Sequence, residues 1–140
     1  MHMVDIRQVT GSFAVAPQIS VAEFPAVSAQ GYRHIINNRP DGEEVDQPTS
    51  AEIEAAARRE GMTYIHAPFV GRPTEDAVKA VMAAGPKTLA FCRSGTRSVT
   101  AWAMAQASAG ANLQAIIEAA HGAGYNLGSM RDLLSQLGAR

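Results

Sequence analysis

The sequence predicts an α/β fold with a mainly parallel central sheet flanked by helices. Apolar, strand-like runs near residues 32–37, 63–67 and 87–91 alternate with helical stretches, and such alternation builds a parallel sheet with helices packed on it. Capping residues and glycine stops punctuate the helices. No repeat, low-complexity tract or linker interrupts the 140 residues, so residues 1–140 are read as one domain.

The elements follow in chain order. "DIRQVTGSFAVAP" reads as two short strands turning at Gly11-Ser12. "SVAEFPAVSAQG" reads as a helix, with Ser20 and Glu23 at capping-box spacing and Gly31 as its stop, although Pro25 sits awkwardly inside it. "YRHIIN" is a strand, and "NRPDGEEVDQP" is a polar loop with Pro-Asp-Gly turn chemistry. "SAEIEAAARREG" is a helix with Ser50 as its cap, acidic residues near its start, Arg58 and Arg59 near its end, and Gly61 as its stop. "TYIHAPF" is a strand and "VGRP" a loop. "TEDAVKAVMAAG" is a helix from Thr74 to Gly85, and "KTLAF" is a strand. A helix, "RSVTAWAMAQASAG", starts within or just after the loop at Cys92. Two more follow, with Asn112 and Asn126 as caps.

Composition narrows the function. A net charge of −1 gives no reason to expect a nucleic acid or membrane partner. The single Cys92 excludes an internal disulfide and a multi-cysteine zinc site, and it leaves no second thiol to resolve a covalent sulfur intermediate. No apolar run approaches the ~20 residues that span a bilayer, and the start of the chain lacks a secretory pattern. The opening Met-His-Met carries no weight. A cytoplasmic setting is therefore expected, where a lone thiol stays reduced. No helical His-Glu-x-x-His pattern is present, and no metal or other cofactor is expected.

Chemistry concentrates in "LAFCRSGTRSVTAW", residues 89–102. In open parallel sheets, ligands bind at the carboxyl ends of strands, where Cys92 falls. A cysteine closing a strand is ordinarily inert core, but "RSGTRS" is not a core sequence. A thiol attacks as its thiolate, and its free pKa is ~8.5. The start of the following helix, and the N–H groups of the loop, favour an anion there. Arg93 and Arg97 add positive charge, and the planar fork of Arg97 can grip two oxygens. Gly95 allows close backbone approach, while Ser94, Thr96 and Ser98 bring hydroxyls to the thiolate or to a bound oxyanion.

At these residues the chain resembles known enzymes. Cys-x-x-Gly-x-Arg, here "CRSGTR", looks like the active-site loop of single-domain rhodanese sulfurtransferases, with four residues between Cys and Arg. Cys-dependent phosphatases carry five. The wider pattern of "GYRHIINNRPDGEE", "GMTYIHAPF" and "FCRSGTRS" is similar to a bacterial family of beta-lactamase-hydrolase-like, phosphatase-like domains (DUF442), often described as sulfur transferases. The resemblance covers roughly residues 8–110. It implies a tyrosine/dual-specificity-phosphatase-like three-layer fold, with Cys92 as nucleophile and Arg97 as oxyanion clamp. Residues 93 to 96 would supply backbone N–H donors, and Ser98 matches the hydroxyl that follows the arginine in dual-specificity phosphatases.

Two features then separate sulfur from phosphate. A shorter loop offers a smaller ring of donors, which suits a terminal sulfur better than a phosphoryl group whose oxygens must be wrapped. The second is the general acid, worth ~10²–10⁴-fold. Phosphatases of this fold bring an Asp on the loop after a central strand, but "APFVGRP" places Val70 and Gly71 there. Asp41 is the best substitute, with Asp76 and Glu75 behind it, although turn chemistry also accounts for Asp41. The first expectation is therefore a sulfurtransferase, moving sulfane sulfur from thiosulfate or a persulfide to a thiol or cyanide through a Cys92 persulfide. An external thiol acceptor, and a persulfide-oxidising partner enzyme, would fit such a cycle. The alternative is a phosphatase acting on phosphoesters through phosphocysteine. A non-catalytic oxyanion-binding module or redox sensor is the third reading. His34 and His66 are expected to be hydrogen-bonded structural residues, Trp102 and Met104 to pack on the sheet, and "GEEVD" to be a solvated loop face.

Overall fold

The structure is a computed structural model that describes residues 4–140; the opening Met-His-Met lies outside them. Five strands form one sheet: β1 (Arg7–Gln8), β2 (Phe13–Ala16), β3 (His34–Asn37), β4 (Thr63–His66) and β5 (Thr88–Phe91). Their order is β1-β2-β5-β3-β4, and all neighbours are parallel except the β1–β2 hairpin. The expected α/β architecture is observed.

Alternation along each strand decides the two faces. Ala14, Ala16, Ile35, Leu89 and Phe91 point to one core, closed by α1 (Phe24–Ala29) and α2 (Ser50–Arg59). Phe13, Val15, Ile36 and Ala90 point to the other, under α3 (Glu75–Ala83), α4 (Thr96–Ser108), α5 (Leu113–Gly122) and α6 (Arg131–Leu137). β2, β3 and β5 are covered on both sides, which explains why consecutive apolar residues such as Ile35–Ile36 and Leu89–Phe91 are all buried. No helix among the described residues is long and apolar enough to cross a membrane.

The central helix α4 shows how sequence meets packing. It touches α3, α5, α6 and β5, so nearly its whole circumference is covered. Ala101, Ala103, Ala105 and Ala107 let these neighbours approach closely while keeping high helix propensity. Trp102 fills the larger gap, its ring 6.4 Å from that of Phe13.

Three helix starts differ from the sequence expectation. The first predicted helix divides into a tight turn, Val21–Glu23, and the short α1, because Pro25 lacks an N–H and fits only the first helical turn. The cap of α2 is Thr49 rather than Ser50. Thr49 Oγ1 accepts from the Glu52 N–H at 3.2 Å, and the Glu52 carboxylate accepts from the Thr49 N–H at 3.1 Å. Only Thr49 stands three residues before a Glu, the spacing a reciprocal box needs. Asn126 accepts from Gly128 N–H at 2.9 Å and opens a single 3₁₀ turn before α6.

The parallel strands end in register. Ala16, Phe91, Asn37 and His66 are lateral partners across the sheet, so Cys92 emerges on a common edge with Asn38 and Ala67. Enlarging the buried face of α4 by Ala103→Leu should cost about 1–3 kcal/mol of stability. Ser108→Leu, at an exposed position, should change it by less than about 0.5 kcal/mol. Urea unfolding of both variants checks the difference.

Candidate active site

Cys92 follows β5, and α4 begins four residues later, as the strand–loop–helix pattern predicts. The sulfur is buried, and the Gly95 N–H points at it with N to Sγ of 3.1 Å. Gly95 holds φ at 93°, a left-handed conformation that turns the chain into the helix. A Cβ at this position would run into the Tyr125 hydroxyl, so glycine is required twice over. The Tyr125 hydroxyl donates to Ser94 O at 2.9 Å, and burial pushes its phenol pKa up, keeping it a donor. α5 and the segment after it thereby brace the loop from behind.

The other face of the loop is held by the ends of its neighbour strands. Gln18 N–H donates to Arg93 O at 3.3 Å, and Asn38 N–H to Phe91 O at 2.8 Å. The fully buried Asn38 side chain joins three segments: its Nδ2 donates to Ala67 O at 3.0 Å, and its Oδ1 accepts from Ser98 Oγ at 2.8 Å. Ser98 is thus engaged in locking α4 to the end of β3. Ser94 and Thr96 bond each other at 3.1 Å on the exposed side of the loop.

Arg97 lies against Cys92 and closes on Glu43. Its Nη1 donates to Glu43 Oε2 at 2.9 Å and its Nη2 to Oε1 at 2.8 Å, a two-pronged grip, while Nη1 also reaches Phe69 O at 3.2 Å. Arg39, whose side chain is only 4% exposed, donates from Nε to Glu43 at 2.9 Å, from Nη2 to Glu44 at 2.8 Å and from Nη1 to Gln18 at 2.9 Å. Arg93 reaches Glu44 Oε1 through Nε at 3.0 Å. The three arginines and two glutamates line a pocket of about 240 Å³. Three guanidiniums against two carboxylates leave the lining of this pocket with a net positive charge.

The acidic run "GEEVD" is therefore not simply a solvated face. Glu43 and Glu44 are drawn onto arginines that follow the neighbouring strands β3 and β5, whereas Val45 and Asp46 stay in water. The Arg97 hydrogen bonds hold the Glu43 carboxyl well below its ordinary value, at about 2; partial burial opposes them and Arg39 adds to them. Arg39, Glu43, Glu44, Asn38 and Tyr125 were not singled out from sequence. An Arg followed closely by two acids, in a chain whose other basic cluster flanks its only cysteine, is the signal that was available for the first three.

The remaining candidates lie as follows. Asp41 Oδ1 accepts from the Ser50 N–H at 2.7 Å, at the start of α2. Val70 and Gly71 are exposed in the loop after β4; Asp76 and Glu75 sit exposed at the start of α3. His34 meets Thr63 Oγ1 at 2.7 Å, and His66 Nε2 donates to Arg39 O at 2.8 Å.

Two outcomes follow. Ser98→Ala leaves Asn38 Oδ1 without its buried donor and should cost about 1–3 kcal/mol, read by chemical denaturation. Because the Glu43 pKa is lowered by folding, the stability it contributes is present above its unfolded pKa near 4.5 and is lost as pH falls through about 2. Carbon-13 NMR titration of the side chain should give that low value, and Arg97→Met should move it up toward 4.5.

Residues 5–109 match the family described as Beta-lactamase hydrolase-like protein, phosphatase-like domain. The chain is 35% identical over 134 residues, 91% of its length, to a beta-lactamase hydrolase-like protein of Xylella fastidiosa strain 9a5c. It is 39% identical over 99 residues, 66% of its length, to one of Agrobacterium fabrum strain C58. It spans only 30% and 23% of the length of these relatives. Among solved structures it is similar to a candidate phosphatase from Neisseria meningitidis Z2491, with a TM-score of 0.81 at 30% identity, covering 96% of this chain and 99% of that one. The kinase associated phosphatase shares the fold, with a TM-score of 0.74 at 14% identity over 98% of this chain and 97% of that one.

Proposed function

We propose, for a chain that belongs to the beta-lactamase hydrolase-like protein, phosphatase-like domain family, that it is a cysteine-dependent phosphohydrolase for compact phosphoesters with good leaving groups. One observation carries this reading. The fork of Arg97 already holds an oxyanion, the Glu43 carboxylate, beside Cys92. Two oxygens of a phosphate present a similar target to a guanidinium. The phosphatase-like relatives support this order over sulfur transfer, which the loop spacing and the missing general acid put first.

Substrate enters by displacing Glu43 from Arg97. The Cys92 thiolate then attacks phosphorus in line. The S–P bond forms as the ester P–O bond breaks, and the leaving oxygen departs with its electron pair. Water attacks the phosphocysteine, the S–P bond breaks, and orthophosphate leaves with the thiolate restored. Arg97 and the loop N–H groups carry the charge on the oxygens through both steps.

Protonation of the leaving group is the weak link in this chain. The loop after β4 brings Val70 and Gly71, Asp41 is engaged with Ser50, and Glu43 is ionised at neutral pH. Leaving groups that depart unprotonated are therefore favoured. With a series of aryl phosphates, kcat/KM should fall steeply as the phenol pKa rises, and Cys92→Ser should abolish turnover. A flat dependence together with loss of activity in Asp41→Asn would instead assign Asp41 as the acid. Glu43→Gln removes the competing carboxylate charge and should lower KM for an aryl phosphate by several-fold, about 1 kcal/mol. An unchanged KM would mean that Glu43 does not compete with substrate.

The four-residue spacing between Cys92 and Arg97 specifically favours the second reading, sulfur transfer. Thiolate attack on thiosulfate would give a Cys92 persulfide and release sulfite, again without a general acid. Mass spectrometry after thiosulfate exposure should then find one extra sulfur on Cys92. Finding that adduct, with no aryl phosphate turnover, would reverse the order of the two readings.

A further inference from the structure

We infer that the site takes ligands with two anionic groups, the reacting one at Arg97 and a second between Arg39 and Arg93. This rests on reading Arg97 as the oxyanion clamp. The two glutamates act as internal stand-ins: Glu43 bridges Arg97 and Arg39, and Glu44 bridges Arg39 and Arg93. Each carboxylate thus lies between two guanidiniums. Both carboxylates meet the one guanidinium of Arg39, at Nε and at Nη2, so one small molecule can span both positions.

Burial makes the second position selective. The side chain of Arg39 is 4% exposed, and two of its three engaged donors face these carboxylates; the third meets Gln18. A ligand that removes Glu43 alone leaves Arg39 its bond to Glu44. One that removes both strips a buried guanidinium of its charge partners, unless it supplies anionic oxygens in their place. Residues 40–48 form no helix or strand, and Val45 at the tip is fully exposed. The glutamates can therefore swing away without disturbing either core. The pocket of about 240 Å³ suits compact groups, below the ~300 Å³ at which drug-sized sites begin. The class is a phosphoryl group with a nearby phosphate or carboxylate.

Calorimetry with methylphosphonate and methylenediphosphonate, neither of which is a phosphoester, tests this on the intact chain. The diphosphonate should bind at least about tenfold tighter, the scale of one charge-assisted hydrogen bond. Arg93→Ala should bring the ratio close to one, Arg93→Lys should keep part of it, and Glu44→Gln should raise it. Arg131→Ala, which removes a charge on α6, should leave the ratio as in the wild type. A ratio near one in the wild type, a ratio that survives Arg93→Ala, or no binding of either compound overturns the second subsite. Aryl phosphate turnover is read separately. Turnover without the ratio removes the subsite alone, and the ratio without turnover removes the phosphatase reading while leaving the subsite.

Discussion

The guanidinium of Arg97 and the carboxylate of Glu43 face each other through two hydrogen bonds of 2.8 and 2.9 Å, across 54 residues of sequence. Everything near Cys92 is arranged around that pair. A half-buried arginine needs an anionic partner, and so does the more deeply buried Arg39 beside it. The loop after β3 supplies both partners. The fork of Arg97 and two donors of Arg39 are thereby occupied by the chain's own carboxylates.

The frame that makes this possible is the sheet. Four parallel strands end in register, so the segments after β2, β3, β4 and β5 meet on one edge. Asn38 uses that meeting to join β3, the loop after β4 and α4 through buried hydrogen bonds. Tyr125 braces the opposite side by bonding Ser94 O, in the space that Gly95 leaves open. The Cys92 loop is thus clamped between a polar knot and an aromatic hydroxyl. Such rigidity suits preorganised donors that must meet charge as it develops.

Much of the fold was legible because its signals are local. Alternating strands and helices, the Thr74 and Asn112 caps, and the glycine turn at Gly95 all act within a few residues. The Cys92–Arg97 loop was legible for the same reason. The errors came where two local rules competed: Pro25 against a regular helix, and Ser50 against Thr49 for the start of α2. Composition misled at the acidic run, where Glu43 and Glu44 look like solvent-facing residues because their partners are distant in sequence.

By itself the sequence determined the α/β layering, the position of Cys92 at a strand end, and the strand–loop–helix placement of residues 92–97. Periodicity, capping and glycine placement are short-range properties, and they survive in a linear string. Only the tertiary structure decided what occupies that loop. It brought Arg39 and the two glutamates onto Arg97 and Arg93, assigned Ser98 to Asn38, and engaged Asp41 at the start of α2. Charge pairing is non-directional along the chain and depends on which strand ends converge. The register of the sheet, more than any local motif, therefore selected the partners of Arg93 and Arg97.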